Sequence, residues 1–328
     1  MENMKEIYIK DIIKTCNAKL LCGNEEDILT DIVRDTREIK KGDTYIGFKG
    51  EHNDGNLLYI TAIENGAKIC ILQKTSVENK INLELEDIKQ KYNNVSIILV
   101  EDTVKALQEI ASFKRSMYDI PVVGITGSVG KTSTKDIIAS VMSKKFNVLK
   151  TLGNYNNQIG LPLTVLRLKD ENAMVVEMGM NMPNEISPLS KIAKPSVAVI
   201  TNVGTAHIGN LGSRENILKA KLEILDGLQK GGTLVINNDN DMLHNWYISN
   251  KNTDFQVVTF GMENTSDIMP YDIELSENGS TYKIDIDNKT YTVNISVGGN
   301  HFVLNSLCAI AIGRIFDIPM EDILEGIA

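Results

Sequence analysis

The chain has 328 residues, of which 42% are hydrophobic and 23% are charged. This composition is typical of a globular protein, and the length suffices for about two domains. The formal net charge of −9 at pH 7 argues against general nucleic-acid binding, because phosphate neutralisation requires clustered Lys and Arg and the basic residues here are dispersed. No uncharged run reaches the ~18 residues that a membrane span needs, and the four cysteines form neither a CxxC pair nor a disulfide framework. We therefore expect a cytoplasmic protein with reduced thiols that neither binds nucleic acid nor enters a membrane.

Short apolar stretches alternate with helical patterns along residues 1–115, which predicts a small α/β domain without a phosphate loop. The predicted strands are residues 43–48, 68–72 and 96–100, and the predicted helices are residues 57–65 and 104–118.

A second α/β series begins at Pro121. Its repeated alternation predicts a parallel sheet that binds ligands at the carboxyl ends of its strands. The predicted strands lie near residues 122–126, 147–151, 173–178, 197–202 and 233–237.

The hydrophobic period changes to two over residues 269–297, which predicts a three-stranded antiparallel meander. Residues 301–315 are predicted to form a largely buried helix, and Pro319 is predicted to start one more helical turn. The predicted fold class is therefore α/β: a small N-terminal α/β substrate domain, followed by a central P-loop-type parallel-sheet ATPase domain that carries an antiparallel meander.

The most informative stretch runs from a β-branched strand through Thr126-Gly127-Ser128-Val129-Gly130-Lys131-Thr132 into a helix. Glycines let backbone N–H groups approach a phosphate, the lysine supplies a positive charge, and the threonine hydroxyl is placed to bind Mg²⁺. The stretch is a shorter variant of the usual phosphate loop, since Ile occupies position 125. It predicts a site for a nucleoside triphosphate.

Two further residues follow predicted strands of the same sheet. Glu177 closes an apolar strand, where a carboxylate commonly holds Mg²⁺ or a water, although a solvated charge at a strand end is an equal alternative. His207 lies in a loop after the next strand. Because both residues lie at one edge of the sheet, His207 is a candidate metal ligand or polarising group.

Lys221 and a cluster of amides are the remaining candidates. Lys221 lies on the partly apolar side of a predicted helix, and spacing alone favours a lysine that reaches out to solvent. Burial near metals would instead lower its pKa and favour modification.

Residues 154–158 contain four amide side chains. They are either a polar turn or hydrogen-bonding groups for a sugar or peptide ligand.

Taken together, these residues resemble the Mur ligase family, the ATP-dependent amide ligases of peptidoglycan precursor synthesis, over essentially the whole chain. The motifs that carry the resemblance are Thr126-Gly127-Ser128-Val129-Gly130-Lys131-Thr132-Ser133-Thr134-Lys135, Thr151-x-Gly153-Asn154-x-Asn156-Asn157-x-Ile159-Gly160-x-Pro162, Glu177-Met178-Gly179, Asp35-Thr36-Arg37, Gly42-Asp43 and Gly50-x-x-x-Asp54-Gly55.

Within this family the motifs are most similar to those of the member that joins D-alanyl-D-alanine to UDP-N-acetylmuramoyl-tripeptide. The resemblance implies that ATP phosphorylates the peptide carboxylate and that the amine then attacks the acyl phosphate. It implies Mg²⁺ as a cofactor, and we expect a monomer.

The resemblance also implies the residues that bind the nucleotide. Lys131 and the loop amides would hold the β- and γ-phosphates, and Asn305 would contact adenine. The family's adenine-binding helix usually reads Gly-x-His-Asn-x-x-Asn, and Phe302 replaces its first asparagine here. The implied nucleotide-binding residues are Gly127, Ser128, Val129, Gly130, Lys131, Thr132, Ser133 and Asn305.

Further roles are implied for the metal and substrate residues. Thr132 and Glu177 would hold one Mg²⁺. A second would bind Glu177, His207 and Lys221, with Lys221 carrying a carbamate made from carbon dioxide. The implied catalytic residues are Lys131, Glu177, His207 and Lys221. The implied substrate residues are Thr36 and Arg37 for the uridine diphosphate, and Asn154, Asn156 and Asn157 for the muramoyl peptide.

The predicted domains are residues 1–115, which would bind the UDP-muramoyl peptide, residues 116–318, which would bind ATP, and residues 319–328. The last segment would begin a C-terminal domain that the family normally has and that helps to bind the incoming amine. Its absence weakens the case for turnover by this chain alone.

Two alternatives stay open. One is a folylpolyglutamate synthetase-like ligase, which would lack the uridine-binding domain; Asp35-Thr36-Arg37 argues against it. The other is a non-catalytic nucleotide-binding module. An assay of product formation, rather than of binding, would distinguish it from a ligase.

Overall fold

The computed structural model describes residues 5–328. They form two compact units. The first contains the residues up to Tyr118 together with Val165–Lys169, and the second contains Asp119–Thr164 and Asp170–Ala328. The predicted α/β fold class is confirmed in both units, which are described separately below.

A mixed sheet forms the centre of the first unit. Its strands are β1 (Lys19–Cys22), β2 (Ile32–Val33), β3 (Thr44–Ile46), β4 (Ile69–Gln73) and β5 (Ser96–Val100). The order is β1-β5-β4-β3-β2, and only β1 runs antiparallel to its neighbour. All side chains of β3 and β5 are buried, as expected for strands that are covered on both faces.

Four α-helices accompany this sheet: α1 (Ile9–Cys16), α2 (Tyr59–Glu64), α3 (Lys74–Lys91) and α4 (Thr103–Ser116). The sequence prediction included β3, β4, β5, α2 and α4, but it missed β1, β2, α1 and the long helix α3. Only Val77, Ile81 and Ile88 of its 18 residues are buried, so most of its surface is charged and its apolar periodicity is weak. Asp102 caps α4 by accepting a hydrogen bond from the backbone N–H of Lys105 at 2.9 Å.

A six-stranded sheet forms the centre of the second unit. Its strands are β6 (Val122–Thr126), β7 (Val148–Lys150), β8 (Ala173–Glu177), β9 (Val197–Ile200), β10 (Thr233–Asn237) and β11 (Gln256–Phe260). All pairs are parallel, in the order β11-β10-β9-β6-β8-β7. The prediction missed β11, because this edge strand buries only two of its five side chains.

The direction of chain progression reverses at β6, since β7 and β8 lie on one side of it and β9 to β11 lie on the other. The loops that follow β6, β8 and β9 therefore leave the same edge of the sheet. In open parallel sheets, ligands bind at such a reversal point, outside the carboxyl ends of the strands.

The α-helices of the second half of the chain are α5 (Lys131–Met142), α6 (Gly160–Leu166), α7 (Ile186–Ala193), α8 (Ile208–Leu211), α9 (Arg214–Leu222), α10 (Asp241–Ser249), α11 (Asn300–Ile315) and α12 (Met320–Ile327). Helix α11 is almost entirely buried, as predicted, and packs against α5. Helix α12 has eight residues, twice the predicted single turn, and also packs against α5.

The predicted antiparallel meander is confirmed. It consists of β12 (Tyr271–Ser276), β13 (Gly279–Ile286) and β14 (Lys289–Ile295). Asp287 and Asn288 join β13 to β14 with φ angles of 51° and 60°, as a tight hairpin turn requires. The meander is anchored to α11 by a buried 2.7 Å hydrogen bond between the hydroxyls of Tyr282 and Ser306.

Across residues 5–328, no helix is both long enough and apolar enough to cross a membrane. All four cysteines are free, and Cys70 and Cys308 are buried among apolar side chains. Burial raises the pKa of both buried thiols, so these two residues act as small hydrophobic core residues.

The contact between α12 and α5 can be tested by Gly326→Ala. A Cβ atom at this position would lie 2.7 Å from the Cα atom of Val141, so the helices must separate. We expect a loss of about 1–3 kcal/mol in the free energy of unfolding, measured by denaturant titration. Glu325→Ala is the matched control, since it removes only a surface ion pair with Lys144 and should cost at most about 0.5 kcal/mol. Equal stability of the two variants would contradict this packing.

Candidate active site

A glycine-containing loop connects β6 to α5. Gly130 precedes the helix with φ 80° and ψ −7°, a left-handed conformation that favours glycine. A Cβ atom on Gly127 would lie 1.9 Å from the Thr201 Oγ1 atom. Both glycines are therefore required by the backbone geometry.

The first turn of α5 points its backbone N–H groups at the end of this loop. Helix N-termini have four such groups without intrahelical partners, and the helix dipole adds positive potential there. The Lys131 side chain lies in the same place, where its Nζ atom donates a 2.9 Å hydrogen bond to the Gly127 carbonyl. Burial lowers the pKa of Lys131, and the nearby Glu177 carboxylate opposes that shift. The arrangement can bind an anion.

Glu177 ends β8, and it is only 2% exposed. Its Oε2 atom accepts a 2.9 Å hydrogen bond from the Thr132 hydroxyl, and its Oε1 atom accepts a 2.8 Å bond from the Asn156 carboxamide. Its backbone N–H donates to the Thr151 hydroxyl at 3.0 Å. A buried carboxylate is thus held at the mouth of the sheet by groups from two other loops.

Lys221 lies on α9 and is 1% exposed. Burial lowers the pKa of its amine to about 7, and the positive charge of Lys131 contributes to this shift. Among residues 5–328, none of the ion pairs includes Lys221. The lowered pKa favours the neutral amine near pH 7. Because Lys221 is buried, the solvent-directed lysine that spacing alone favoured is wrong.

His207 follows β9 at the same edge and is exposed. It has a φ angle of 65° and precedes α8. Along the part of the chain that the structure describes, its ring makes no hydrogen bond to Glu177, and no group of three His, Cys, Asp or Glu side chains has the geometry of a metal site. The protein side chains by themselves therefore bring Thr132 to Glu177 but do not join His207 to them.

The three predicted substrate asparagines have different surroundings. Asn156 binds Glu177, as described, and Asn157 caps α6 by accepting hydrogen bonds from the backbone N–H groups of Ile159 at 3.1 Å and Gly160 at 2.9 Å. Asn154 is exposed. Asn157 is exposed as well, but of the three only Asn154 has a side chain without a hydrogen bond among residues 5–328.

A cavity of about 260 Å³ adjoins the phosphate loop. Phe260 and Leu304 supply apolar surface, and Asn237, His301 and Asn305 supply polar groups. The Asn305 Oδ1 atom accepts a 2.9 Å hydrogen bond from the Thr134 hydroxyl, which leaves the Nδ2 group as a donor. Phe302 does not line the cavity but lies against His301, with the ring centroids 4.3 Å apart and the ring planes inclined by 41°. The replacement of the family's asparagine by Phe302 therefore leaves this wall polar.

Thr36 and Arg37 lie in the first unit, in a short 3-10 helix after β2. Asp35 accepts hydrogen bonds from the backbone and the guanidinium of Arg37, and these contacts lower the pKa of Asp35 to about 2. The Arg37 side chain is 86% exposed. The motif therefore presents a fixed carboxylate and an accessible cation.

Sequence reasoning missed several residues of the site. Asn202 contacts the phosphate loop directly, and its position at the end of a predicted strand was the available signal. Asn237 and Phe260 line the cavity from the ends of β10 and β11. Phe260 could not have been found, because β11 was not predicted.

Two family models match this chain. The Mur ligase middle domain matches residues 125–313, and the Mur ligase family catalytic domain matches residues 30–115. The first match alone spans more than half of the chain.

Individual proteins and structures agree with the family models. The chain is 38% identical over 305 residues to the UDP-N-acetylmuramoyl-tripeptide–D-alanyl-D-alanine ligase of Bacillus subtilis, which covers 93% of this chain and 62% of that protein. It is similar to MurF from Acinetobacter baumannii, with a TM-score of 0.86, 27% identity, and coverage of 99% of this chain and 68% of that one. For MurF ligase from Thermotoga maritima in complex with ADP, the TM-score is 0.75, the identity is 30%, and the coverage is 89% and 65%.

The chain thus spans about two thirds of the length of the proteins that it matches. Within that span, two of these MurF structures share the fold of this chain, with TM-scores of 0.86 and 0.75. The resemblance predicted from the motifs is confirmed, and the chain belongs to the Mur ligase family.

Proposed function

We propose that this chain provides the nucleotide and UDP-muramoyl-peptide sites of an ATP-dependent ligase that joins D-alanyl-D-alanine to UDP-N-acetylmuramoyl-tripeptide. The observation that carries the proposal is the buried Glu177 carboxylate, held by Thr132 and Asn156 beside the phosphate loop. The relatives' names and the ADP in the Thermotoga structure support it.

ATP would bind with its phosphates at the N-terminus of α5. The helix N–H groups and Lys131 supply positive potential for the β- and γ-phosphates. The adenine would enter the adjoining cavity, where Asn305 presents its Nδ2 group and Phe260 and Leu304 supply apolar contacts.

The residues present fit Mg²⁺. This ion prefers oxygen ligands, and the Thr132 hydroxyl and Glu177 carboxylate lie 2.9 Å apart, so they can contribute to one site. The Thr126 hydroxyl at the end of β6 is buried and has no hydrogen-bond partner among the described residues, so a bound group could satisfy it. When bound, Mg²⁺ would neutralise charge on the phosphate oxygens.

The proposed reaction has two steps. First, the terminal carboxylate of the tripeptide attacks the γ-phosphorus, the bond between that phosphorus and the β–γ bridging oxygen breaks, and ADP leaves. Then the amine of D-alanyl-D-alanine attacks the acyl carbon, the bond from carbon to the phosphate oxygen breaks, and the amine loses a proton. Lys131 and the α5 N–H groups would hold the γ-phosphoryl group, while Asn154 is available to the peptide. Catalysis of this kind depends on positioning and charge stabilisation.

Lys221 would carry a carbamate. Its neutral amine attacks the carbon of CO₂, an N–C bond forms, and a proton leaves for solvent. The carbamate would place an anion next to Lys131 where the free lysine has an amine, and together with Glu177 and His207 it could hold a second Mg²⁺.

The nucleotide site predicts that Mg-ADP and Mg-ATP stabilise the chain against heat. Saturation at ~100 times Kd contributes about 2.7 kcal/mol, which corresponds to a shift of several degrees in Tm. Lys131→Ala should abolish most of this shift, because the phosphates lose their cationic partner. Lys230→Ala, which removes an exposed lysine from a surface turn, should leave the shift unchanged. Equal shifts in the wild type and Lys131→Ala would refute the phosphate site.

The substrate site predicts that UDP-N-acetylmuramoyl-tripeptide also raises Tm, whereas folate does not. Arg37→Ala should weaken the stabilisation by the UDP ligand at least several-fold, since a charge-assisted hydrogen bond to a phosphate is lost. Arg34→Ala changes a neighbouring exposed arginine and serves as the control. Stabilisation by folate instead would favour the folylpolyglutamate-type alternative.

The carbamate predicts a pH-dependent NMR signal. Because the pKa of Lys221 is lowered to about 7, its neutral fraction and the carbamate should increase as pH rises from 6 to 8. We expect a ¹³C carbamate resonance with ¹³C-bicarbonate that is present in the wild type and in Lys219→Ala, and is lost in Lys221→Ala. Lys219 lies exposed on the same helix. A signal that persists in Lys221→Ala would place the modification elsewhere.

A further inference from the structure

One contact between loops has no role in the mechanism above. It joins the phosphate loop to the loop that follows β9, through the side chain of Asn202. We propose that Asn202 is a positioning residue that fixes the shape of the phosphate loop and couples it to the loop that carries His207. The inference rests on the proposed nucleotide site and deepens it.

The Asn202 carboxamide contacts the loop on both of its polar atoms. Its Oδ1 atom accepts hydrogen bonds from the backbone N–H groups of Ser128 at 3.0 Å and of Val129 at 3.1 Å. Its Nδ2 group donates to the Val129 carbonyl at 3.1 Å. The Ser128 N–H also donates to the backbone carbonyl of Asn202 at 3.1 Å. The Val129 N–H is therefore the amide that depends on the Asn202 side chain alone.

Neighbouring groups reinforce this contact. The Thr201 hydroxyl donates to the same Val129 carbonyl at 2.8 Å, and the backbone N–H of Gly204 donates to the Ser128 hydroxyl at 2.9 Å. The Thr201 hydroxyl also occupies the space that a side chain at Gly127 would need. The two loops therefore interlock over several residues, and His207 follows Gly204 closely in the chain.

Apolar packing cannot hold the tip of the loop in place, because the Val129 side chain is 65% exposed. The polar contacts from Asn202 and Thr201 are what fix the tip. A loop that is ordered before the ligand arrives loses less conformational entropy on binding, which strengthens affinity.

The contact also separates backbone N–H groups that have protein partners from those that can bind a ligand. In this structure the Ser128 and Val129 amides donate to Asn202, so the N–H groups at the start of α5 remain available for a phosphate. Aspartate could keep the acceptor oxygen at position 202. It would lose the Nδ2 donor and place a negative charge next to the phosphate site.

The test combines amide hydrogen exchange with nucleotide binding, using this chain with Mg-ADP as the probe. In Asn202→Ala without nucleotide, we expect the Val129 amide to exchange about tenfold faster, because it loses its side-chain acceptor. The Ser128 amide keeps the backbone carbonyl of residue 202, and the β6 amides of Val123 and Ile125 should keep their protection. The Kd of Mg-ADP, measured by calorimetry, should rise about tenfold. In Asn202→Asp, the two loop amides should stay protected while Mg-ADP binding weakens.

Asn210→Ala is the control, since its exposed side chain contacts only the Asn181 carbonyl, away from the phosphate loop. Unchanged exchange at Val129 in Asn202→Ala, or unchanged Mg-ADP affinity, would overturn the inference. If the wild type itself fails to bind Mg-ADP, the proposed nucleotide site is wrong; the exchange rates would still report whether Asn202 orders the loop. Because Asn202→Asp retains the acceptor oxygen, it tests the inference even if Asn202→Ala folds poorly.

Discussion

The Glu177 carboxylate connects the parts of the second unit that carry chemistry. It lies at the end of a fully buried strand, and its two oxygens accept hydrogen bonds from Thr132 at the start of α5 and from Asn156 in the loop after β7. A buried carboxylate is stable only with such partners. Its burial therefore requires that three segments meet at one edge of the sheet. These contacts place Glu177 and Asn156 beside the phosphate loop.

The charges of the two lysines in the candidate site also depend on burial. Lys221 is buried and Lys131 is half-buried, and burial together with the positive charge of Lys131 lowers the pKa of Lys221. The site is thus short of negative charge in the protein alone. Phosphates would supply part of it, and a carbamate on Lys221 would supply the rest.

Asn202 illustrates how a neutral side chain completes such a site. A charged group would compete with the phosphates or repel them, whereas a carboxamide satisfies loop amides and a carbonyl at no cost in charge. The exposed Val129 side chain shows why this matters, since the loop tip has no apolar anchor. A loop that binds a highly charged ligand is polar and exposed, so hydrogen bonds rather than hydrophobic packing must hold it in one conformation.

The sequence by itself determined the α/β class, the phosphate loop, the meander and the family, because these depend on local periodicity and on short motifs whose backbone geometry is fixed by glycine. It indicated Glu177 and Lys221 only as candidates, and for Lys221 spacing favoured exposure. The tertiary structure decided that Lys221 is buried and that Asn156 and Asn157 form hydrogen bonds within the protein. It also placed Phe260 in the wall of the cavity and Asn202 against the phosphate loop. It also revealed α3 and β11, whose apolar patterns are weak. Burial, pKa and contacts between distant loops arise from side chains that the fold brings together across the sheet edge, and no local pattern encodes those distances.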